Sequence, residues 1–136
     1  MKQMEFGVDH YAISVSDVDK SIAFYKLFGF EVIKDYTADD HSVRIVQMSN
    51  HSMIVEFFQY TVHGDLPEFV ESLGTDLAVV GSKHIGFHVD DLDAAAQYLV
   101  ENGVLDKKPA INTGRLGRDY FFIKDPDGIF VEIISK

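Results

Sequence analysis

The chain has 136 residues, enough for one well-cored domain, whereas half of it would be marginal alone. It contains no Cys, which excludes disulfides, thiolate metal ligation and Cys nucleophiles, so any metal must be held by nitrogen and oxygen. A formal net charge of −10 works against nucleic acid and anionic membrane surfaces as partners. No apolar run approaches the roughly 18 residues of a membrane span, and a strand signal begins at Asp9, so a soluble, cytoplasmic protein is expected.

Residues 9–15 alternate as a strand, with Tyr11, Ile13 and Val15 on one face and His10, Ala12 and Ser14 on the other. Ser16 followed by Asp19 reads as a helix start; Val18, Ile22 and Tyr25 keep helical spacing until Gly29 ends the helix. Strands are predicted near 30–36, 42–48 and 52–60. Residues 61–82 read as a connection, with a short helix between Asp65 and Leu73, Pro67 in its first turn, and a mobile stretch from Gly74 to Gly81. The order then repeats: a strand over 84–89, Asp90 as cap, a helix to Gly103 with Leu92, Ala96 and Leu99 inward, and strands near 119–124 and 129–134. Asp125-Pro-Asp-Gly128 reads as the turn between the last two, since Pro presets φ and Gly accepts positive φ.

The repetition extends to single residues. His10-Tyr-Ala-Ile-Ser-Val-Ser-Asp-Val-Asp19 runs in register with His84-Ile-Gly-Phe-His-Val-Asp-Asp-Leu-Asp93, and Gly29 and Gly103 each fall nineteen residues after their His. Glu56 follows His10 by 46 residues and Glu132 follows His84 by 48, each Glu inside an apolar strand. The reading is one α+β domain over 1–136 made of two tandem βαβββ modules: the first about 6–60, the connection about 61–82, the second about 83–136. A carboxylate flanked by apolar residues either turns outward or needs a partner, and two imidazoles with two carboxylates would complete the ligand set of a divalent transition metal. His10, Glu56, His84 and Glu132 are therefore the candidate metal ligands.

Period two places Phe58, Tyr60, Tyr120, Phe122 and Phe130 on the same side as the carboxylates, as core or as pocket wall. Arg44 falls on an inner strand with Val46 and Met48. Arg115 and Arg118, in Gly-Arg-Leu-Gly-Arg-Asp, are candidates to clamp a carboxylate or phosphate, with a solvated role as the alternative. His88 shares the face of His84 and is a candidate neighbour of the site, while His41, His51 and His63 fall in turns and should be solvated.

His10 to Tyr25 as His-x-x-Ile-x-Val-x-Asp-x-x-x-Ser-x-x-Phe-Tyr, the replay from His84, and Asp-Pro-Asp-Gly-x-x-x-Glu at 125–132 resemble the vicinal oxygen chelate superfamily, which includes glyoxalase I. The resemblance covers essentially the whole chain. It implies paired modules forming a curled mixed sheet around a metal-binding cleft, often completed by a second subunit, hence a homodimer. In the glyoxalase I pattern the four matching positions hold Ni, Zn or a similar ion, with Mn, Co and Fe as further choices. The resemblance also makes Glu132 the base that moves a proton between adjacent carbons, with Glu56 as a ligand or as the base for the opposite face.

Glutathione-dependent lyases resembling this chain have Arg four residues after the first His and Asn four after the first Glu, where Ser14 and Tyr60 stand here. The resemblance therefore points to another thiol adduct, an acyl-CoA or a small oxygenated molecule, with Tyr60, Tyr120, Arg115 and Arg118 as candidate substrate contacts. The related methylmalonyl-CoA epimerases tend to have Gln at the Glu56 position. The expected activity is a metal-dependent lyase or isomerase acting on a small α-hydroxycarbonyl or thiohemiacetal through an enediolate. The alternatives are an Fe(II) or Mn(II) dioxygenase of the same fold, which would not need Glu56, and a non-enzymatic protein that sequesters a small, antibiotic-type molecule.

Overall fold

The structure is a computed structural model and describes residues 2–136. The chain forms two compact units, Met1–Asp65 and Leu66–Lys136, so most of the expected connection belongs to the second. Each unit is a four-stranded mixed sheet with a helix, the βαβββ arrangement that the sequence predicts.

In the first unit β1 (His10–Ser14) is followed by α1 (Val18–Lys26), β2 (Glu31–Thr37), β3 (Val43–Ser49) and β4 (Ile54–Tyr60), in sheet order β1-β4-β3-β2. β1 runs parallel to β4, and the other pairs are antiparallel. The helix buries Val18, Ser21, Phe24 and Tyr25, and the strands bury Ile13, Val46, Met48, Val55 and Phe57. Tyr25 is the centre of an aromatic cluster, its ring 5.1 Å from Phe57 and 6.1 Å from Phe30. The cap of α1 is Asp17 rather than Ser16: its carboxylate accepts from the amides of Asp19 and Lys20 at 3.1 and 3.3 Å. Gln59 Oε1 on β4 accepts from the Val18 amide at 2.6 Å, so a strand side chain satisfies another otherwise unpaired helix donor. Gly29 ends the turn after the helix at φ +84°.

In the second unit, Glu68–Glu71 is a 3-10 turn preceded by Pro67, and α2 (Leu73–Ala78) occupies the stretch expected to be mobile. α2 is anchored through Asp76, which is buried and paired with Lys83 Nζ at 3.5 Å. β5 (Ile85–Val89), α3 (Leu92–Glu101), β6 (Asn112–Thr113), β7 (Asp119–Lys124) and β8 (Phe130–Ser135) follow, in sheet order β5-β8-β7-β6. The cap of α3 is Asp91 rather than Asp90, accepting from the Ala94 amide at 3.0 Å; Leu92, Ala96 and Leu99 are inward as predicted. β6 has two residues and no alternating pattern, which is why the sequence left this strand unplaced. Between β7 and β8 the Asp125–Gly128 turn closes with Gly128 at φ +89° donating to the Asp125 carbonyl at 3.0 Å. Among the described residues no helix is long and apolar enough to cross a membrane.

Candidate metal centre

Strand register gives the two His–Glu pairs the same place in their sheets. In the first unit Ala12, two residues after His10, pairs with Glu56; in the second Gly86, two residues after His84, pairs with Glu132. Each Glu thus faces a residue with little or no side chain on the neighbouring strand. A Cβ added to Gly86 would lie 3.6 Å from Glu132 Oε1, so the missing side chain keeps space beside that carboxylate.

The structure brings His10 and Glu56 together: His10 Nε2 lies 3.6 Å from Glu56 Oε1. The other imidazole nitrogen, Nδ1, is bonded to Asp9 Oδ2 at 2.7 Å. An ionised carboxylate only accepts, so Nδ1 donates to Asp9, which leaves Nε2 as the ring nitrogen on the Glu56 side. The Asp9 hydrogen bond chiefly, with the field of Glu56 behind it and partial burial opposing, raises the His10 pKa above its ordinary value. Glu56 is largely buried, and its Oε2 accepts from Gln47 Nε2 at 2.6 Å across the β3–β4 pair.

The surroundings of the second pair are apolar. His84 meets Phe122 edge-on at 4.9 Å, Phe122 stands opposite Glu132 in the β7–β8 register, and Phe122 also packs on Tyr120 at 5.6 Å and Phe130 at 5.8 Å. His84 Nδ1 is buried with no hydrogen-bond partner among the described residues. Glu132 is half-buried on this face, and His88 is exposed.

The donor types of these residues, and the spacing of His10 and Glu56, suit a divalent ion. Imidazole nitrogen and carboxylate oxygen are the donors such ions take in the absence of thiolates. Two ligands at about 2.1 Å on a tetrahedral ion stand roughly 3.4 Å apart, near the His10–Glu56 separation. The unpartnered His84 Nδ1 is a second buried donor without a use inside its own unit. Among the described residues, no three His, Asp or Glu side chains form a cluster that could hold a metal; of the four candidate ligands, the two seen side by side are His10 and Glu56.

The other candidates fall in separate places. Tyr60 is exposed at the end of β4 and pairs with Val43, while Tyr120 is half-buried on the face of Glu132. Arg118 is engaged: its Nε and Nη2 donate to the Ser135 carbonyl at 2.8 and 2.5 Å, tying β8's end to the β6–β7 turn. Arg115 is exposed in that turn. Arg44 lies on the face opposite Glu56, where it binds Asp35 through two bonds of 3.0 and 2.8 Å and Asp19 at 3.0 Å. That clamp holds the Asp35 carboxyl below its ordinary range. Sequence reasoning missed Gln47 and Asp9. Asp9 is signalled only by adjacency to His10, and Gln47 only by counting back across the hairpin from Glu56.

A family model described as the Glyoxalase/Bleomycin resistance protein/Dioxygenase superfamily matches residues 7–133. The uncharacterized protein YwkD of Bacillus subtilis is 33% identical over 132 residues, covering 96% of this chain and 97% of YwkD. A lactoylglutathione lyase of Schizosaccharomyces pombe is 26% identical over 148 residues, covering 96% of this chain but 48% of the lyase, so the chain spans about half of that relative. Among solved structures, SMU.1112c superimposes with a TM-score of 0.77 at 25% identity, covering 95% of this chain and 98% of the other. Family match, fold and duplicated register agree, and the chain belongs to the glyoxalase/bleomycin resistance protein/dioxygenase superfamily, the vicinal oxygen chelate proteins.

Proposed function

We propose that this chain is a metal-dependent, glyoxalase-like lyase or isomerase in which the two units act as one domain. His10, Glu56, His84 and Glu132 would ligate one divalent ion of the Ni, Zn, Mn, Co or Fe group, within one chain or between two copies of it. The reaction is the rearrangement of a small α-hydroxycarbonyl or thiohemiacetal through an enediolate. When bound, the ion supplies Lewis-acid polarisation of two neighbouring substrate oxygens and so acidifies the C–H between them.

The chain's own groups carry the proton. Glu132 takes it from one carbon and returns it to the next. Glu56 stays in place under the Gln47 bond. His10 offers Nε2 because Asp9 holds Nδ1. Tyr60, Tyr120 and the exposed Arg115 are the proposed substrate contacts; Arg118 contributes through the turn it braces.

The observation that carries this reading is the identical strand register of the two His–Glu pairs, each opposite a small residue. The test is metal content by mass spectrometry on untagged protein, beside a His10→Ala, His84→Ala double variant. About one equivalent per chain or per pair of chains, lost in the variant, is expected for such a site. Absence of metal after reconstitution with each ion would overturn it. We also propose a cytoplasmic homodimer acting on a small molecule, with no nucleic-acid or membrane partner; light scattering at the 15.3 kDa of one chain would contradict the dimer.

A further inference from the structure

The duplicated modules keep the positions of their His and Glu but not the positions of what holds them. In the first unit both members are tied: Gln47 Nε2 donates to Glu56 Oε2 at 2.6 Å, and Asp9 holds His10 Nδ1 at 2.7 Å. The residue opposite Glu132, in the register place of Gln47, is Phe122, which has no donor. The residue before His84, in the place of Asp9, is Lys83, whose ammonium pairs with Asp76. His84 Nδ1 is accordingly left without a partner among the described residues.

A free Glu side chain samples several rotamers, and holding one of its oxygens fixes which way the other points. Gln47 takes Oε2 and leaves Oε1 as the oxygen facing His10. Asp9 likewise fixes the ring orientation and tautomer of His10. We propose that Gln47 and Asp9 are positioning residues that prearrange the first unit's His–Glu pair to take a divalent ion, a role that no residue in the matching places of the second unit can fill. The inference rests on the metal-binding reading above.

Co(II) dissociation constants for the full-length chain, by competition with a chromogenic chelator, test it in wild type, Gln47→Leu, Asp9→Ala and Gln97→Leu. Gln97 gives its amide to Glu101 on α3 at 2.9 Å, so its variant removes a Gln–carboxylate bond of the second unit's helix, outside both strands that carry the first pair. Gln47→Leu and Asp9→Ala should each weaken Co(II) binding about 10- to 100-fold and shift the visible d–d bands, with Gln97→Leu unchanged in both. Urea midpoints measured without metal separate these losses from lost folding, and Gln47→Met replaces the Leu variant if that one fails to fold. Binding by Gln47→Leu within about threefold of wild type overturns the positioning role and leaves the metal reading standing. A wild-type chain that binds neither Co(II), Ni(II) nor Zn(II) overturns both.

Discussion

Asp125, the first residue of the Asp-Pro-Asp-Gly turn, should make stability fall as pH rises, against the usual behaviour of carboxylates. Its Oδ1 accepts from the amides of Asp127 and Ile129, each at 2.9 Å, which favours the ionised form. Its Oδ2 is buried with no hydrogen-bond partner among the described residues, and burial dominates, pushing the carboxyl up to about 6 from an ordinary 3.8. Because the folded state then holds a proton that the unfolded state releases, the favourable contribution is complete below pH 3.8 and is lost as pH rises through about 6. At about 1.4 kcal/mol per pH unit, the raised pKa corresponds to a change of roughly 3 kcal/mol. Asp125→Asn keeps an oxygen for the two amides and cannot ionise, and whatever its buried NH2 costs does not vary with pH. Urea unfolding of both proteins at half-unit steps from pH 3.5 to pH 8 measures the difference between them. That difference should move by about 3 kcal/mol in favour of the Asn variant, most of it between pH 4 and pH 6.5. A difference that stays constant within about 0.5 kcal/mol, or moves the other way, would show that the turn's hydrogen bonds outweigh desolvation.

Phe57→Ala, which empties a fully buried position against Tyr25, should destabilise by about 3–5 kcal/mol in urea titration, and a loss under about 1 kcal/mol would mean that this aromatic cluster is not the core of its unit. Arg44→Met keeps the aliphatic stem but removes the clamp on Asp35 and Asp19. With partly exposed partners the loss should be only about 0.5–1.5 kcal/mol and should shrink in 1 M salt; a loss that salt leaves untouched would assign the effect to packing.

The order of strands and helices was legible because the strands alternate and the helices keep their apolar spacing, and the duplication repeated every signal. The caps were misplaced by one residue each for a local reason. Ser16 and Asp17, like Asp90 and Asp91, are adjacent oxygen-bearing residues that can all cap a helix. The choice falls on the one whose backbone is extended while its neighbour begins the helix, and this depends on where the preceding strand releases the chain. The helix at Leu73–Ala78 lay in a stretch whose glycine and polar residues suggest mobility, and it is Asp76 meeting Lys83 seven residues later that ties it down. Arg118 looked available for an anion because nothing local signals its bonds to Ser135, seventeen residues ahead.

The matching strand register of the two His–Glu pairs follows the spacing in the sequence, whereas the side chains that stand opposite each Glu could not be read from it, and register explains the difference. Nine residues separate Gln47 from Glu56 and ten separate Phe122 from Glu132, with both pairs directly opposed across an antiparallel hairpin. The extra residue is absorbed by a longer turn, Asp125–Ile129 against Asn50–Met53, so the carboxylate face is preserved. A slip within the strands would have turned each Glu to the opposite face. The shared register therefore gives the His, the Glu and the small residue opposite each Glu the same place in both halves. It leaves the residue opposite each Glu on the third strand free to differ, as Gln47 and Phe122 do. One backbone frame, used twice, thus sets a carboxylate against an amide donor in one half and, among the described residues, against a phenyl ring in the other, so the same strand position carries two electrostatically different groups.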